Sequence, residues 1–425
     1  MFQKLLLLFK IRELRNKIIF VIFLLAVFRL ASTIPVPGVD IERLKSFFAG
    51  NQFLGLLNIF SGGALSNLSI IMLGVGPYIT SSIIMQLLTM IFPAFKEMYS
   101  EAGEQGRQKF NQYSRILTVP LAIIQAFSFI KLLQSNQIIS QISSFQMLTN
   151  ILLITAGTMF IMWIGELISE KGIGNGISLI IFAGIVAGIP EVLRRIIVDF
   201  NVSKIPTLAS FAVMTIAVIA GVVMITEAQR NIPVSYAKRI RGNRVYGGST
   251  TYLPLRINQA GVIPIIFALS IMLFPGMISS FLSVTSIAWL SNFASSVSRV
   301  FQNQLFYGIL YFILVVIFTF FYTAITFDPK AISENIQKQG GFITGIRPGK
   351  STADFLYYIL NRITLAGALF LGFIAVMPFL VQWGMGLSTT MTIGGTSLLI
   401  VVSVVLETSK QINSQLVMRD YEGFR

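Results

Sequence analysis

Long apolar runs are the feature that most constrains what this chain can fold into. A helix that crosses the hydrocarbon core of a bilayer needs about 20 mostly apolar residues. No water is available there to satisfy the backbone, so each such run must form its hydrogen bonds internally as a helix. The sequence therefore predicts an all-α polytopic membrane protein with ten transmembrane helices, at residues 18–34, 70–92, 116–133, 149–168, 173–193, 207–225, 257–281, 305–327, 355–381 and 392–408.

The composition agrees with this fold class. Apolar residues make up 54% of the 425 positions and charged residues only 12%, whereas soluble domains are about 25% charged. The first run is interrupted by Arg29 and followed by Pro35 and Pro37. A secretory leader ends instead in a small-residue cleavage site, so we expect this run to remain as the first span.

Basic residues are distributed unevenly between the two sides that ten spans define. Of the 32 Lys and Arg residues, 24 fall on the side that holds both termini, seven fall on the other side, and Arg29 lies within a span. Positive charge next to short loops stays in the cytoplasm. The pattern predicts both termini in the cytoplasm, and the net charge of +15 predicts a basic surface that faces anionic lipid, nucleic acid or an acidic partner.

The residue types that are missing exclude most catalytic chemistry. The chain has no Cys and no His, the commonest thiolate nucleophile, general base and metal ligand. Its acidic residues fall in loops or near span ends, where Glu166 and Glu407 suit a snorkelling or ion-paired role. We therefore predict no enzyme activity, no cofactor and no metal site. An inverted-repeat secondary transporter for a small solute is the alternative, but it would need ionisable groups near the midplane.

Two predicted cytoplasmic loops, 227–257 and 328–354, are long and basic. The first alternates around Gly242 and Asn243 in the manner of a protruding hairpin. Two interpretations stay open for these loops. Their charges are topology signals, or they form a docking surface for an acidic cytosolic partner. The segment around Gly349 and Lys350 lacks the spacing and the preceding strand of a phosphate-binding loop.

A broken, moderately apolar stretch at 53–68 precedes the second span on the non-cytoplasmic side. Irregular backbone at membrane depth is tolerated only where it is buried in protein or lines a cavity. This stretch is therefore either an interfacial loop or a re-entrant segment that occupies a central cavity.

Seven segments, in order along the chain, resemble the SecY family. They include Arg-Leu-Ala-Ser-Thr-Ile-Pro-Val-Pro-Gly after the first span and Gly-Ile-Arg-Pro-Gly in the second basic loop. Each is modest alone, but their order and spacing together are specific to that family. The segments are residues 29–38, 60–66, 73–88, 165–178, 258–264, 345–349 and 394–402.

This resemblance implies two pseudo-symmetric five-helix halves, 1–200 and 201–425, around an hourglass pore with a short plug helix at about 55–69. An apolar pore ring is implied at Val75, Ile79, Ile177, Ile181, Ile266 and Ile400. The neighbours Ile83 and Ile180 are then expected to face lipid. The implied plug consists of Asn58, Ile59, Phe60, Ser61, Gly62, Gly63, Ala64, Leu65, Ser66, Asn67 and Leu68.

The resemblance also implies the function. The chain would be the central subunit of a protein-conducting channel in the bacterial plasma membrane. It would pass unfolded secretory polypeptides with signal sequences and release membrane segments through a lateral gate between spans two and seven. Implied partners are SecE, SecG, anionic lipids, and the SecA ATPase or a ribosome. The last two would dock on Lys238, Arg239, Arg241, Arg244, Arg347 and Lys350.

Overall fold

The computed structural model of the protein describes most of the chain. The described residues are 11–37, 61, 63–65, 68–101, 103–135, 139, 143–198, 201–202, 205–236, 239–241, 244–246, 250–282, 288–385 and 394–422.

Every apolar run coincides with a helix. In the first half these are α1 (Arg12–Ala31), α2 (Gly76–Ile91), α3 (Gly103–Ser135), α4 (Ser144–Lys171) and α5 (Gly176–Val198). The second half adds α6 (Ile205–Glu227), α7 (Ile263–Leu282), α8 (Ala288–Gln302), α9 (Gln304–Thr326), α10 (Pro329–Lys338), α11 (Lys350–Met385) and α12 (Gly394–Glu422). The helices α8 and α10 lie between the predicted spans and were not predicted from the sequence.

Local sequence signals explain where several helices begin. Ser143 and Gln146 form a reciprocal capping box at the start of α4, which satisfies two otherwise unpaired backbone donors. The Asn303 side chain accepts from two backbone N–H groups at the start of α9. Proline occupies the first turn of α2, where its missing N–H costs nothing.

By length and composition, five helices within the described ranges could cross a membrane. The number is six when α2 and the helical segment 93–99, which meet at 117°, count as one broken span. The apolar parts of α5 and α7 are shorter, at 176–190 and 263–272. Both α2 and α7 are preceded by non-helical backbone in which Ile71, Val75 and Val262 are buried, the arrangement that a bilayer tolerates.

The two basic loops combine into one folded unit. The strand β1 (Gln229–Tyr236) pairs antiparallel with β4 (Thr250–Arg256), while β2 (Arg239–Arg241) and β3 (Arg244–Tyr246) form the predicted hairpin between them. The second loop adds β5 (Gly341–Ile343) to the free edge of β1. A strand therefore does precede Gly349, so the expectation that none would was wrong, whereas the spacing from Gly345 to Gly349 still differs from that of a phosphate-binding loop. We call the three-stranded sheet, together with the β2–β3 hairpin and α10, the docking arm. Its apolar side includes Val234, Leu255 and Ile343, which pack with Leu356 and Ile359 of α11.

The two halves meet through a small set of helices. In the described chain α7 packs against α2 and α3, and α5 packs against α12. Ion pairs support helix packing within each half: Arg115 of α3 contacts Glu166 of α4 at 2.6 Å, and Lys410 of α12 contacts Glu227 of α6 at 2.8 Å. Glu166 thus takes the ion-paired role that its position near a span end predicted.

Candidate functional site

The candidate site is an apolar ring at the beginnings of four helices. Each side chain proposed for the ring lies at or within the first two turns of α2, α5, α7 or α12. Five of the six are buried, with exposed fractions between 0% and 5%, and the sixth is half-buried. All six belong to one continuous apolar cluster that draws on both halves of the chain: Val75, Ile79, Ile177, Ile181, Ile266 and Ile400.

Hydrogen bonds at the start of α5 hold its two ring residues, Ile177 and Ile181, in position. Asn175 caps α5 by accepting from the backbone N–H groups of Ile177 and Ser178 at 3.1 and 3.2 Å. The Ser169 hydroxyl of α4 accepts from the N–H of Gly176 at 2.8 Å. Because a helix N-terminus otherwise leaves such donors unpaired, these bonds hold the first turn of α5 at one height against α4.

Two further isoleucines correct the sequence-based expectation. Ile83 and Ile180 are only 2% and 1% exposed and belong to the same apolar cluster as the ring. They face protein, so the expectation that they contact lipid was wrong. On α2, Ile83 lies one turn beyond Ile79 and shares its face. On α5, Ile180 is adjacent to the ring residue Ile181 and points in a different direction, and residues 178–181 are all buried, so neighbouring helices surround this turn of α5.

Part of the predicted plug is buried among the apolar side chains of the first half, and one residue shares the ring cluster. Four described residues of this segment are at most 2% exposed: Ser61, Ala64, Leu65 and Leu68. Ala64 belongs to the ring cluster, whereas Leu65 and Leu68 pack into a second cluster between α3 and α4. The described residues of this segment form hydrogen-bonded turns, including a bond from Leu65 N–H to the Ser61 hydroxyl at 3.0 Å. Their burial favours a segment inside the protein over an interfacial loop.

The rest of the predicted plug, which is Asn58, Ile59, Phe60, Gly62, Ser66 and Asn67, lies outside the described residues. A two-stranded strap holds the C-terminal end of the segment. In this strap Pro35 pairs with Ser69, and Val36 N–H donates to the carbonyl of Leu68 at 2.8 Å. The chain that leaves α1 therefore fixes the backbone that leads into α2.

The basic residues predicted for docking occupy the docking arm and the turn that follows it. Arg239, Arg241 and Arg244 lie on the hairpin strands β2 and β3, whereas Lys238 lies outside the described residues. Arg347 is exposed in the turn between β5 and α11, and Lys350 is exposed as the first residue of α11.

Side-chain and backbone bonds stiffen that turn. The Thr352 hydroxyl donates to the carbonyl of Arg347 at 2.9 Å, and the Ser333 hydroxyl of α10 donates to the carbonyl of Gly349 at 2.7 Å. Gly345 and Gly349 both adopt positive φ, which other residues rarely do. The arginine is thus presented on a rigid support that connects the sheet to the ninth span.

Sequence comparisons assign the chain to a family with named members. The family model described as SecY matches residues 69–409. Two relatives named "Protein translocase subunit SecY" come from Streptomyces galbus and Thermotoga maritima. The first is 43% identical over 437 residues and covers 98% of each chain. The second is 44% identical over 429 residues and covers 98% of this chain and 96% of its own.

Comparison of folds leads to the same architecture. A structure described as "The structure of a protein conducting channel" superposes with a TM-score of 0.64 at 19% identity, over 94% of this chain and 91% of that one. The structures described as "The plug domain of the SecY protein stablizes the closed state of the translocation channel and maintains a membrane seal" and "Sec61 in the Canine ribosome-channel complex from the endoplasmic reticulum" each give 0.62 at 19% identity, with the same coverage. None of these named relatives and structures is a small-solute transporter.

Proposed function

Because the chain belongs to the SecY family, we propose that it is the central subunit of a protein-conducting channel. It passes unfolded secretory polypeptides across the membrane and releases membrane segments into the bilayer. The observation that carries this proposal is the apolar ring, in which four helices from the two halves 1–200 and 201–425 contribute side chains to one buried cluster.

The apolar ring seals the pore against water and ions. A constriction lined only by aliphatic side chains disfavours water and therefore blocks ions. The same side chains offer no hydrogen bond and no charge, so they bind no particular sequence tightly. Because isoleucine and valine can pack against a moving chain of any composition, the ring closes around a polypeptide while it passes. This behaviour suits a channel whose substrates share little sequence.

The plug segment closes the outer side of the ring at rest. Ala64 packs in the ring cluster, and Leu65 and Leu68 anchor the segment between α3 and α4. The strap at Pro35 and Ser69 keeps its C-terminal end attached when the rest of it moves aside for a substrate.

The lateral gate lies between α2 and α7. These helices carry the ring residues Ile79 and Ile266 and pack against each other across the boundary between the halves. Separation of this pair exposes the pore to lipid, so an apolar signal sequence or membrane segment can leave sideways. Burial of its apolar surface in lipid then stabilises the open state.

The chain works with partners that supply the driving force. We assign the docking arm, with Arg239, Arg241, Arg244, Arg347, Lys350 and Lys238, to binding of the SecA ATPase or a translating ribosome. SecE clamps the halves and SecG lies at the periphery, while anionic lipids attract the basic cytoplasmic face. ATP hydrolysis belongs to SecA, and this chain is not an enzyme. Its location is the bacterial plasma membrane with both termini cytoplasmic.

Reconstitution tests this function directly. Liposomes that contain this chain with SecE are supplied with SecA, ATP and a secretory precursor, and the precursor is then exposed to protease. The proposal predicts ATP-dependent accumulation of full-length, protected precursor. A matched sample with the Arg347→Glu variant separates partner docking from vesicle leakage. Equal protection without ATP, or none in any sample, would contradict the proposed function.

A further inference from the structure

The same short pattern leads into both helices of the lateral gate. Residues 74–79 and 261–266 share the sequence Gly-Val-x-Pro-x-Ile, and each pattern ends on a ring isoleucine. The two glycines have closely similar positive φ angles, 55° at Gly74 and 62° at Gly261. The backbone therefore turns in the same way as it enters α2 and α7.

The residue nine positions before each ring isoleucine makes the same pair of backbone contacts. The N–H of Ile70 donates to the carbonyl of Ile34 at 3.0 Å, just after α1. The N–H of Ile257 donates to the carbonyl of Ala228 at 2.9 Å, just after α6. The adjoining pairs, Pro35 with Ser69 and Gln229 with Arg256, continue both contacts as antiparallel pairing.

The backbone carbonyl groups of Ile70 and Ile257 each lie in close contact with a glycine of another helix. Ile70 lies against Gly157 of α4, and Ile257 lies against Gly367 of α11. A Cβ atom at either glycine would lie less than 3.0 Å from the carbonyl oxygen of that isoleucine. Backbone atoms cannot move aside as a flexible side chain can, so only glycine allows this approach.

The two glycines also occupy equivalent positions in the two halves. Both are buried, α4 is the fourth span of the first half, and α11 is the fourth span of the second. Each glycine lies in an Ala-Gly-x-x-Phe sequence, at 156–160 and 366–370. The repetition indicates that the contact is a feature of the fold and not an accident of one helix pair.

We propose that Gly157 and Gly367 are positioning residues, a pair of seats that fix where α2 and α7 begin and thereby keep the ring closed and the lateral gate shut. The inference rests on the proposed channel function and deepens it. The isoleucine that rests on each seat, Ile70 or Ile257, precedes a ring isoleucine by nine residues, so displacement at the seat moves the ring residue through a short segment.

The two seats differ in what else is attached to them. On the α2 side, the strap continues into the plug segment through the bond between Val36 and Leu68. On the α7 side, it continues into β1 and β4 of the docking arm. Gly157 thus connects the gate to the plug, whereas Gly367 connects the gate to the surface on which a cytosolic partner binds.

The test compares Gly157→Ala and Gly367→Ala with two glycines that have room for a Cβ. A Cβ atom added at Gly188 of α5 would meet no atom of another part of the protein within 4 Å, and one added at Gly308 of α9 would meet Val376 Cγ1 at 3.5 Å. Resting ion conductance is recorded in planar bilayers. The chain has no cysteine, so Ile79→Cys with Ile266→Cys provides a specific pair for cross-linking by a short bismaleimide.

We expect both seat variants to assemble in the membrane and to raise the resting open fraction roughly tenfold, the size of effect that overpacking a close contact has on a two-state equilibrium. Cross-linking of the ring pair falls in both, and precursors with weakened signal sequences pass. A mere structural defect would lower the yield without this gain of transport. The alanine controls at Gly188 and Gly308 match the parent.

The outcomes separate cleanly. Parent-like conductance and cross-linking in the seat variants would overturn the proposal. Gly367→Ala is the milder change, because its Cβ meets one atom under 3.0 Å where Gly157→Ala meets two, and it carries the test if Gly157→Ala does not assemble. Failure of both to assemble would also overturn it, since the glycines would then serve folding alone. A parent that transports no precursor refutes the channel function instead.

Discussion

Polar substitution inside the ring is the perturbation that most sharply tests its residue assignment. The triple variant Ile79→Asn, Ile181→Asn and Ile266→Asn places amide groups where three buried side chains now exclude water. Water can then hydrogen-bond within the constriction, so the barrier to wetting falls. The apolar ring also resists opening of the pore. Because the polar variant lowers that resistance, we expect precursors with weakly apolar signal sequences to pass more readily.

The magnitude follows from burial. Each isoleucine is at most 5% exposed, and full burial of such a side chain contributes about 1.5–3 kcal/mol. The three lie in one cluster, so their effects do not add simply. Loss of the burial free energy of only one of these side chains would already shift the equilibrium between closed and open pore about tenfold or more, since 1.4 kcal/mol corresponds to about a factor of ten. We therefore expect the resting conductance to rise at least about tenfold.

The assay is single-channel recording in planar bilayers, and the chain offers a matched control. Ile22, Ile216 and Ile313 lie on helices of the predicted spans and are 61%, 66% and 45% exposed, so we expect lipid to contact them. Asparagine at these positions leaves an unpaired polar group in hydrocarbon, which lowers insertion or stability without creating a conducting path. If the two triple variants gave the same conductance, the ring assignment would be wrong while the family assignment stood.

Three more predictions concern the plug and the arm. Deletion of residues 58–68 should leave a channel that assembles but leaks ions at rest, because the ring alone then holds the seal; an ion-tight deletion in bilayers would refute the plug assignment. Arg347→Glu should weaken SecA binding and translocation several-fold with unchanged thermal stability, since exposed charges contribute little to stability; Arg299→Glu, which the charge pattern of the sequence predicts to lie on the opposite side of the membrane, is the control. A disulfide between Ser235→Cys and Phe342→Cys, which replace directly paired residues of β1 and β5, should leave translocation intact. A loss of translocation that a reductant reverses would show that the two loops must separate.

The helices of this fold could be predicted from the sequence because apolar length is a local property. Each of the ten runs coincides with a helix. The direction in which a helical residue faces is not local in this sense. Ile83 and Ile180 are as apolar as any lipid-facing residue, and only the packing of neighbouring helices shows that they are buried.

Contacts between distant segments were also beyond single-sequence reasoning. Three residues of β5 form too short a strand to recognise, and its partner β1 lies about a hundred positions earlier. Gly157 and Gly367 carry no local signal of a close approach, since an isolated glycine in an apolar helix has several explanations. The signal that was available is the repeated Ala-Gly-x-x-Phe sequence, which becomes informative only when the halves are compared.

The central claim is that a polypeptide crosses the membrane through the ring formed by α2, α5, α7 and α12. A single cysteine at Ile79 or Ile266, in a chain that has none of its own, is paired with a cysteine in a precursor stalled in the act of translocation. We predict disulfide formation at both ring positions, dependent on ATP and SecA, and none from a cysteine at Ile216, which is exposed on the outside of the protein. Cross-linking at Ile216 that equals or exceeds cross-linking at the ring would contradict the account.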